Sequence, residues 1–295
     1  MRLEIKGVGK QYRNDFWGVK DFSLNLESGV VGLLGENGAG KSTLMRIIST
    51  ITAPTTGQIL WNDVDIKKNP NALRVELGYL PQDFGVYPNL NAVEFLEYIG
   101  SIKGVSKKQC KKRIDELLQL VNLVEVRKRP LGGYSGGMKQ RIGIAQALIN
   151  DPKVLIVDEP TVGLDPTERV RFRNLLSDLS GERIVIFSTH IVSDVEATAS
   201  KIAVMSKGRL LSYSDPQQLL KKVEGKVWEV LAQDNDLQNI RKNYIISATI
   251  RGSKGVQVRI VSDTIPSIDA RSLEPTLEDA YLYCISNEKG GEGNG

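Results

Sequence analysis

The stretch from Val30 to Ile51 limits the fold more than any other part of this chain. A short apolar run, Val30 to Leu34, leads into Gly35-Glu36-Asn37-Gly38-Ala39-Gly40-Lys41-Ser42, and Leu44, Ile47, Ile48 and Ile51 then recur at helical spacing. Pro54 and Gly57 close the helix. A buried strand that turns through glycines into a helix aims several backbone N–H groups, and the positive end of the helix, at one point in space. That point suits the phosphates of a nucleotide. Lys41 is placed to neutralise β and γ phosphates, and the Ser42 hydroxyl is the group that takes Mg²⁺ in such loops.

The flanking sequence alternates strands and helices. Leu3 and Ile5 alternate with charges, as do Phe22, Leu24 and Leu26, and Ile59 to Ile66 and Leu77 to Leu80 read as further strands. From Asp83 the texture is helical for about sixty residues, with Ile114, Leu117, Leu118 and Val121 on one face. Lys107, Lys108, Lys111, Lys112 and Arg113 belong to this stretch and read as a solvated face. Strands return at Val154 to Val157, Ile184 to Ser188 and Ile202 to Met205, with a charged helix from Glu168 to Leu179 between the first two. This is the βαβ rhythm of a parallel sheet. Beyond Lys222, Val227 to Leu231, Ile245 to Ile250 and Val256 to Val261 alternate again, before a helix near Leu277 to Ile285.

The expected architecture is α/β: a P-loop NTPase cassette with a mixed sheet core and an inserted helical subdomain, plus a small C-terminal α+β domain. The boundaries read as 1–221 for the cassette, with its helical subdomain at about 83–150, then 222–286 for the accessory domain and 287–295 as a disordered tail, polar and glycine-rich.

Composition removes several alternatives. Apolar residues make up 41% and charged residues 25% of 295 positions, the range of globular domains rather than disordered or fibrous chains. Thirty-nine basic against 35 acidic residues leave a net charge of +4, too small to make nucleic acid the main partner. Cys110 and Cys284 stand alone, without metal-ligand spacing, and read as reduced thiols. The amino terminus lacks the pattern of a signal peptide, and no apolar run approaches the roughly 18 residues that cross a bilayer.

Two further groups carry chemistry. Val154 to Val157 ends in Asp158 and Glu159, at the strand end where open α/β sheets bind ligands. Asp158 suits holding Mg²⁺ indirectly, through the groups around the ion, and Glu159 suits the role of base for the attacking water, although paired acids also serve as turn residues. Tyr134-Ser135-Gly136-Gly137-Met138-Lys139-Gln140-Arg141 precedes another helix, with Ile142, Ala145, Leu148 and Ile149 on its face. It reads either as a helix cap or as a second anion-binding end, which one nucleotide held by one P-loop does not require.

Taken in order, the P-loop, Gln82 after a strand, the signature at 135–139, Asp158 and Glu159, Gly163-Leu164-Asp165-Pro166 and the sole histidine, His190, resemble an ATP-binding cassette (ABC) ATPase over the first 220 residues. The resemblance implies an ATPase with ATP and Mg²⁺ as cofactors, and a head-to-tail homodimer or paired cassette. Each ATP then lies between one P-loop and the partner's Ser135, Gly136 and Gly137. It implies nucleotide contacts from Gly35, Glu36, Asn37, Gly38, Ala39, Gly40, Lys41, Ser42 and Thr43, metal contacts from Ser42, Gln82 and Asp158, and catalytic roles for Glu159, His190, Gln82 and Lys41. Asp165 would couple the two sites, and Tyr12 would stack on adenine, with Phe16 and Trp17 as rivals. Tyr134 stands where the family has leucine, and Met138 where it has glutamine.

Gly78-Tyr79-Leu80-Pro81-Gln82, Tyr87-Pro88-Asn89-Leu90 and the ending Leu273 to Leu282 are similar to stand-alone ATPase subunits of bacterial drug, bacitracin-type antibiotic or sodium exporters. That likeness implies a separate transmembrane permease subunit, no nucleic-acid partner, and a cytoplasmic location at the inner face of the membrane. The competing expectation is a soluble, non-transport cassette acting on ribosomes or nucleic acid or as a resistance factor. Against it, the chain has neither the second cassette with a basic linker nor the long coiled coil of such relatives.

Overall fold

The computed structural model describes residues 1–13, 15–253 and 255–291. The chain divides into two compact units, 1–210 and 211 onward.

The first unit opens with β1 (Leu3–Gln11), β2 (Trp17–Leu26) and β3 (Gly29–Leu34), then α1 (Lys41–Ile48), β4 (Thr56–Trp61) and β5 (Val64–Asp65). A one-turn helix α2 (Asn71–Arg74) and β6 (Leu77–Leu80) follow. Three helices come next, α3 (Ala92–Ile102), α4 (Lys107–Leu120) and α5 (Gly136–Ala147). Side chains fix where each begins: Asn91 and Glu94 form a reciprocal capping box on α3, Ser106 caps α4, and Ser135 caps α5. The rest of the unit is β7 (Val154–Val157), α6 (Pro166–Asp178), β8 (Ile184–Thr189), α7 (Val192–Thr198) and β9 (Lys201–Ser206). The chain passes from one unit to the other within β10 (Arg209–Ser214).

The α/β core expected from the sequence is present, and its strands form two sheets. One is antiparallel, in the order β2-β1-β4-β5. The other has the order β10-β9-β3-β8-β7-β6, and β9-β3, β3-β8, β8-β7 and β7-β6 all pair in parallel. Every residue of β7 and β8 is buried, so these strands read as unbroken apolar runs rather than alternating ones. The register sets Leu34 opposite Thr189, Val157 opposite Phe187 and Leu80 opposite Val157. Strands in this register finish along one edge, so Gly35, Gln82, Asp158 and His190 leave the sheet on the same side.

Several boundaries differ from expectation. Ile59 to Ile66 is two strands, because Asn62 and Asp63 both take left-handed backbone angles and turn the chain. Regular helix begins at Ala92 rather than Asp83. β10 is an addition, since Leu210 and Leu211 are both only half-buried and break the alternation that would have marked it.

The second unit contains α8 (Pro216–Lys221), β11 (Val227–Ala232), α9 (Leu237–Asn243), β12 (Ile245–Gly252), β13 (Gly255–Val261), β14 (Arg271–Ser272) and α10 (Leu277–Gly291). Its sheet runs β12-β13-β11-β14, all antiparallel. One face packs Ala232, Val256, Val258 and Ile260 with Leu237 of α9. On the other, Arg259 holds the fully buried Asp279 at the start of α10 through Nη2 at 2.8 Å, and Thr276 donates to the same carboxylate from its backbone N–H and its hydroxyl. The unit begins earlier than the expected residue 222, and α10 continues to Gly291, into the stretch expected to be disordered. The last four positions, 292–295, lie outside the described residues.

Candidate functional site

The loop after β3 is shaped by two glycines with positive φ, Gly38 at 85° and Gly40 at 98°. A Cβ on Gly40 would stand 2.1 Å from the Gly18 carbonyl oxygen, so only glycine lets α1 start here. The first residue of α1, Lys41, is 5% exposed. Its ammonium donates to the carbonyls of Gly35 at 2.7 Å and Glu36 at 3.2 Å and pairs with Glu159 Oε1 at 3.1 Å. A buried ammonium is tolerated only with such partners.

Both acids at the end of β7 are buried and compensated. Asp158 Oδ1 accepts from the hydroxyls of Ser42 (3.2 Å) and Ser188 (2.6 Å). Glu159 adopts φ 47°, strained for a residue with a side chain, and its N–H donates to Ser188 Oγ at 2.8 Å. Its carboxylate bridges two cations or donors: Oε1 meets Lys41, and Oε2 lies 2.8 Å from His190 Nδ1. Ser188 was not singled out in the sequence. The available signal was a pair of hydroxyl residues, Ser188 and Thr189, after the apolar run Ile184 to Phe187, and the pairing of Ser188 with both acids depends on the parallel register of β7 and β8.

Asn37, Gly38, Ala39, Gly40, Lys41, Ser42, Thr43, Gln82, Glu159 and His190 line one cleft of about 430 Å³, with Phe16, Gly18 and Val162. Gly35 and Glu36 lie beneath it as acceptors for Lys41, and Asp158 lies behind Ser42. The aromatic that lines the cleft is Phe16 rather than Tyr12. Tyr12 stacks near-parallel on Phe16, with centroids 6.4 Å apart, and its ring fills the space above Gly18. Ser135, Gly136, Gly137 and Asp165 are not part of this cleft. Ser135 accepts from the Met138 N–H as the cap of α5, Gly136 has open space around it, and exposed Asp165 caps α6. Tyr134, in the place of the usual leucine, is buried and donates its hydroxyl to the Val126 carbonyl, with burial pushing its pKa up.

Ser42 Oγ, Asp158 Oδ1 and the side-chain amide of Gln82 supply hard oxygen donors. Among the described residues there is no cluster of three or more His, Cys, Asp or Glu able to cage an ion. The donor set of one carboxylate, one hydroxyl and one amide fits Mg²⁺, which uses one or two carboxylates and completes its shell with substrate phosphates and water.

The family described as "ABC transporter" matches residues 19–162. YxlF of Bacillus subtilis, an uncharacterized ABC transporter ATP-binding protein, is 37% identical over 233 residues, spanning 79% of this chain and 77% of its own. The chain belongs to the ABC transporter ATP-binding proteins. YbhF of Escherichia coli, a probable multidrug ABC transporter ATP-binding protein, is 30% identical over 95% of this chain, which spans 51% of that longer protein. The dimeric structure of the bacterial cassette MJ0796 superposes with a TM-score of 0.66 at 26% identity, covering 72% of this chain and 98% of that one. The same cassette has been solved in a post-hydrolysis state with ADP and Pi. Membership makes the chain an ATPase, and it explains why a P-loop, a strand-end acid pair and a signature helix occur together. Among the described residues no helix is long and apolar enough to cross a membrane.

Proposed function

We propose that this ATPase hydrolyses MgATP between two copies arranged head to tail, or between paired cassettes, and that the cycle drives export through a separate membrane permease. The observation that carries the reading is the division of the anion-binding groups. The cleft gathers the P-loop, Gln82, Glu159 and His190, while the signature residues sit apart at a helix start where Ser135 and Gly136 are exposed and Gly137 is buried. A second chain supplying that helix start would complete the site.

In this reading Lys41 and the loop amides hold the β and γ phosphates, and Phe16 and Tyr12 offer a stacked aromatic surface to the base. Mg²⁺, when bound, would be held by Ser42, Asp158 and Gln82 and would neutralise charge on the phosphate oxygens. Glu159 accepts the proton of the attacking water, with its backbone fixed by Ser188 and its carboxylate oriented by His190. His190 also contacts the γ phosphate, Gln82 reports its presence, and Asp165 faces the second site. Exposed Tyr87 and Tyr98, with Pro88, Asn89 and Leu90, border a cleft of about 400 Å³ on the helical segment, which suits a permease loop. The export direction rests on the likeness to YbhF and on the exporter-like segments of the sequence.

Replacing Glu159 by glutamine is expected to cut turnover by about 10²- to 10⁴-fold while MgATP still binds and holds the dimer closed in size-exclusion chromatography. Hydrolysis at the parental rate would reject Glu159 as the base. Co-purification with a hydrophobic protein from detergent-solubilised membranes supports the transport reading, and sedimentation with ribosomes would replace it.

A further inference from the structure

The signature helix is fastened to the catalytic loop of its own chain. Gln140 Nε2 on α5 donates to the Pro160 carbonyl at 3.1 Å, one residue after Glu159. The next residue, Arg141, pairs through Nε with Glu168 Oε2 at 3.3 Å, and both side chains are more than four-fifths buried (14% and 16% exposed). Glu168 sits in the first turn of α6, where its N–H is held by Asp165. It also packs directly beneath the signature: a Cβ on Gly137 would fall 2.9 Å from Glu168 Cγ. The Arg141 Nη1 donates in addition to the carbonyls of Val121 and Asn122 after α4.

We propose that Gln140 and the Arg141–Glu168 pair are positioning residues that carry the state of one nucleotide site to the other. The inference rests on the two-chain arrangement proposed above. There, Ser135 to Gly137 touch the partner's ATP, whereas Glu159 and Asp165 serve the chain's own ATP and the interface. When the signature engages a γ phosphate, any shift of α5 is passed through Gln140 to the peptide next to Glu159, and through Arg141 and Glu168 to the cap at Asp165. A buried ion pair and an amide–carbonyl bond resist independent sliding of the two segments, so both move or neither does. None of the three side chains lines the ATP cleft, which separates this role from direct catalysis.

The test compares the parent with Glu168→Gln and Gln140→Met, with Arg171→Gln as control. Arg171 pairs with Glu168 Oε1 at 2.8 Å from a position 57% exposed, so it reports loss of a surface partner alone. The parent is expected to hydrolyse ATP with a Hill coefficient near 2, about the number of sites. Glu168→Gln and Gln140→Met should bring that coefficient toward about 1 and lower kcat about ten-fold, with affinity for a non-hydrolysable ATP analogue within about two-fold of the parent. Arg171→Gln should behave as the parent, and Arg141→Lys, which keeps the charge, should retain part of the cooperativity. A parent that forms no dimer with MgATP in size-exclusion chromatography removes the two-chain reading itself, and a dimeric parent with a coefficient of about 1 overturns the coupling. A cooperative parent whose Glu168→Gln and Gln140→Met variants stay equally cooperative overturns the coupling and leaves that reading intact. Loss of analogue binding in step with kcat also overturns it, because it reduces the pair to a structural brace. If Glu168→Gln does not fold, Gln140→Met decides the matter alone, since it removes one hydrogen bond at a half-buried position.

Discussion

Ser188→Ala deletes a single oxygen, yet the structure assigns it a cost out of proportion to its size. The hydroxyl is fully buried, donates to Asp158 Oδ1 at 2.6 Å and accepts from the Glu159 N–H at 2.8 Å. A hydrogen bond to a carboxylate contributes about 1.5–3 kcal/mol, and a buried N–H left without an acceptor costs about 1–3 kcal/mol. The two losses share one atom and do not simply add, which places the destabilisation at about 3 kcal/mol. For a domain of some 200 residues each kcal/mol moves Tm by about 2–4 °C, so the variant should melt about 6–12 °C below the parent in scanning calorimetry. Activity should fall as well. The same bond holds Glu159 at its strained φ, so kcat is expected to drop about ten-fold or more. MgATP affinity, which the proposed reading assigns to residues 35–43, should change less than about three-fold. A variant that melts within about 2 °C of the parent and hydrolyses ATP equally fast would refute the assignment of Ser188 as the support of both acids.

Gly40→Ala should weaken MgATP binding by at least about ten-fold in calorimetry: the left-handed backbone alone costs about 1–2 kcal/mol with a Cβ, and the new atom meets the Gly18 carbonyl. Burial acts to raise the pKa of Asp279, but hydrogen bonds from Arg259 and Thr276 hold the carboxyl below its ordinary value. Its stabilisation is therefore full above the unfolded carboxyl pKa of about 3.9 and lost as pH falls through the lower folded value. Acid unfolding of the parent followed by circular dichroism should show this loss, and Asp279→Asn should be less stable at neutral pH with a shallower acid dependence. Burial pushes the thiols of Cys110 and Cys284 up, so both should react slowly with a thiol reagent at pH 7–8 and quickly once urea unfolds the chain.

The P-loop was legible in the sequence because its chemistry is local. Eight consecutive residues, a strand before and a helix after contain the whole geometry, and Asp158 and Glu159 were legible as the end of an apolar strand. What escaped depends on pairing across the sheet or between helices. Nothing near Ser188 in sequence shows that the register of β7 against β8 brings it to Asp158. The same holds for Glu168, whose meeting with Gly137 and Arg141 is set by the packing of α6 on α5. Which of Phe16 and Tyr12 faces the cleft is not encoded by alternation along the strands. The break at Asn62 and Asp63 was within reach, since both are residue types that accept left-handed angles.

Calorimetric titration of the chain and its Lys41→Ala variant with MgATP tests the central claim most directly. The Lys41 ammonium is buried at the floor of the loop with three protein partners, and it is the one cation among residues 35–43. The parent should bind with saturating heat, and the variant should lose about 10- to 100-fold in affinity, the worth of charged hydrogen bonds in a buried site. Absence of heat with the parent, or equal affinity in the variant, would contradict the account.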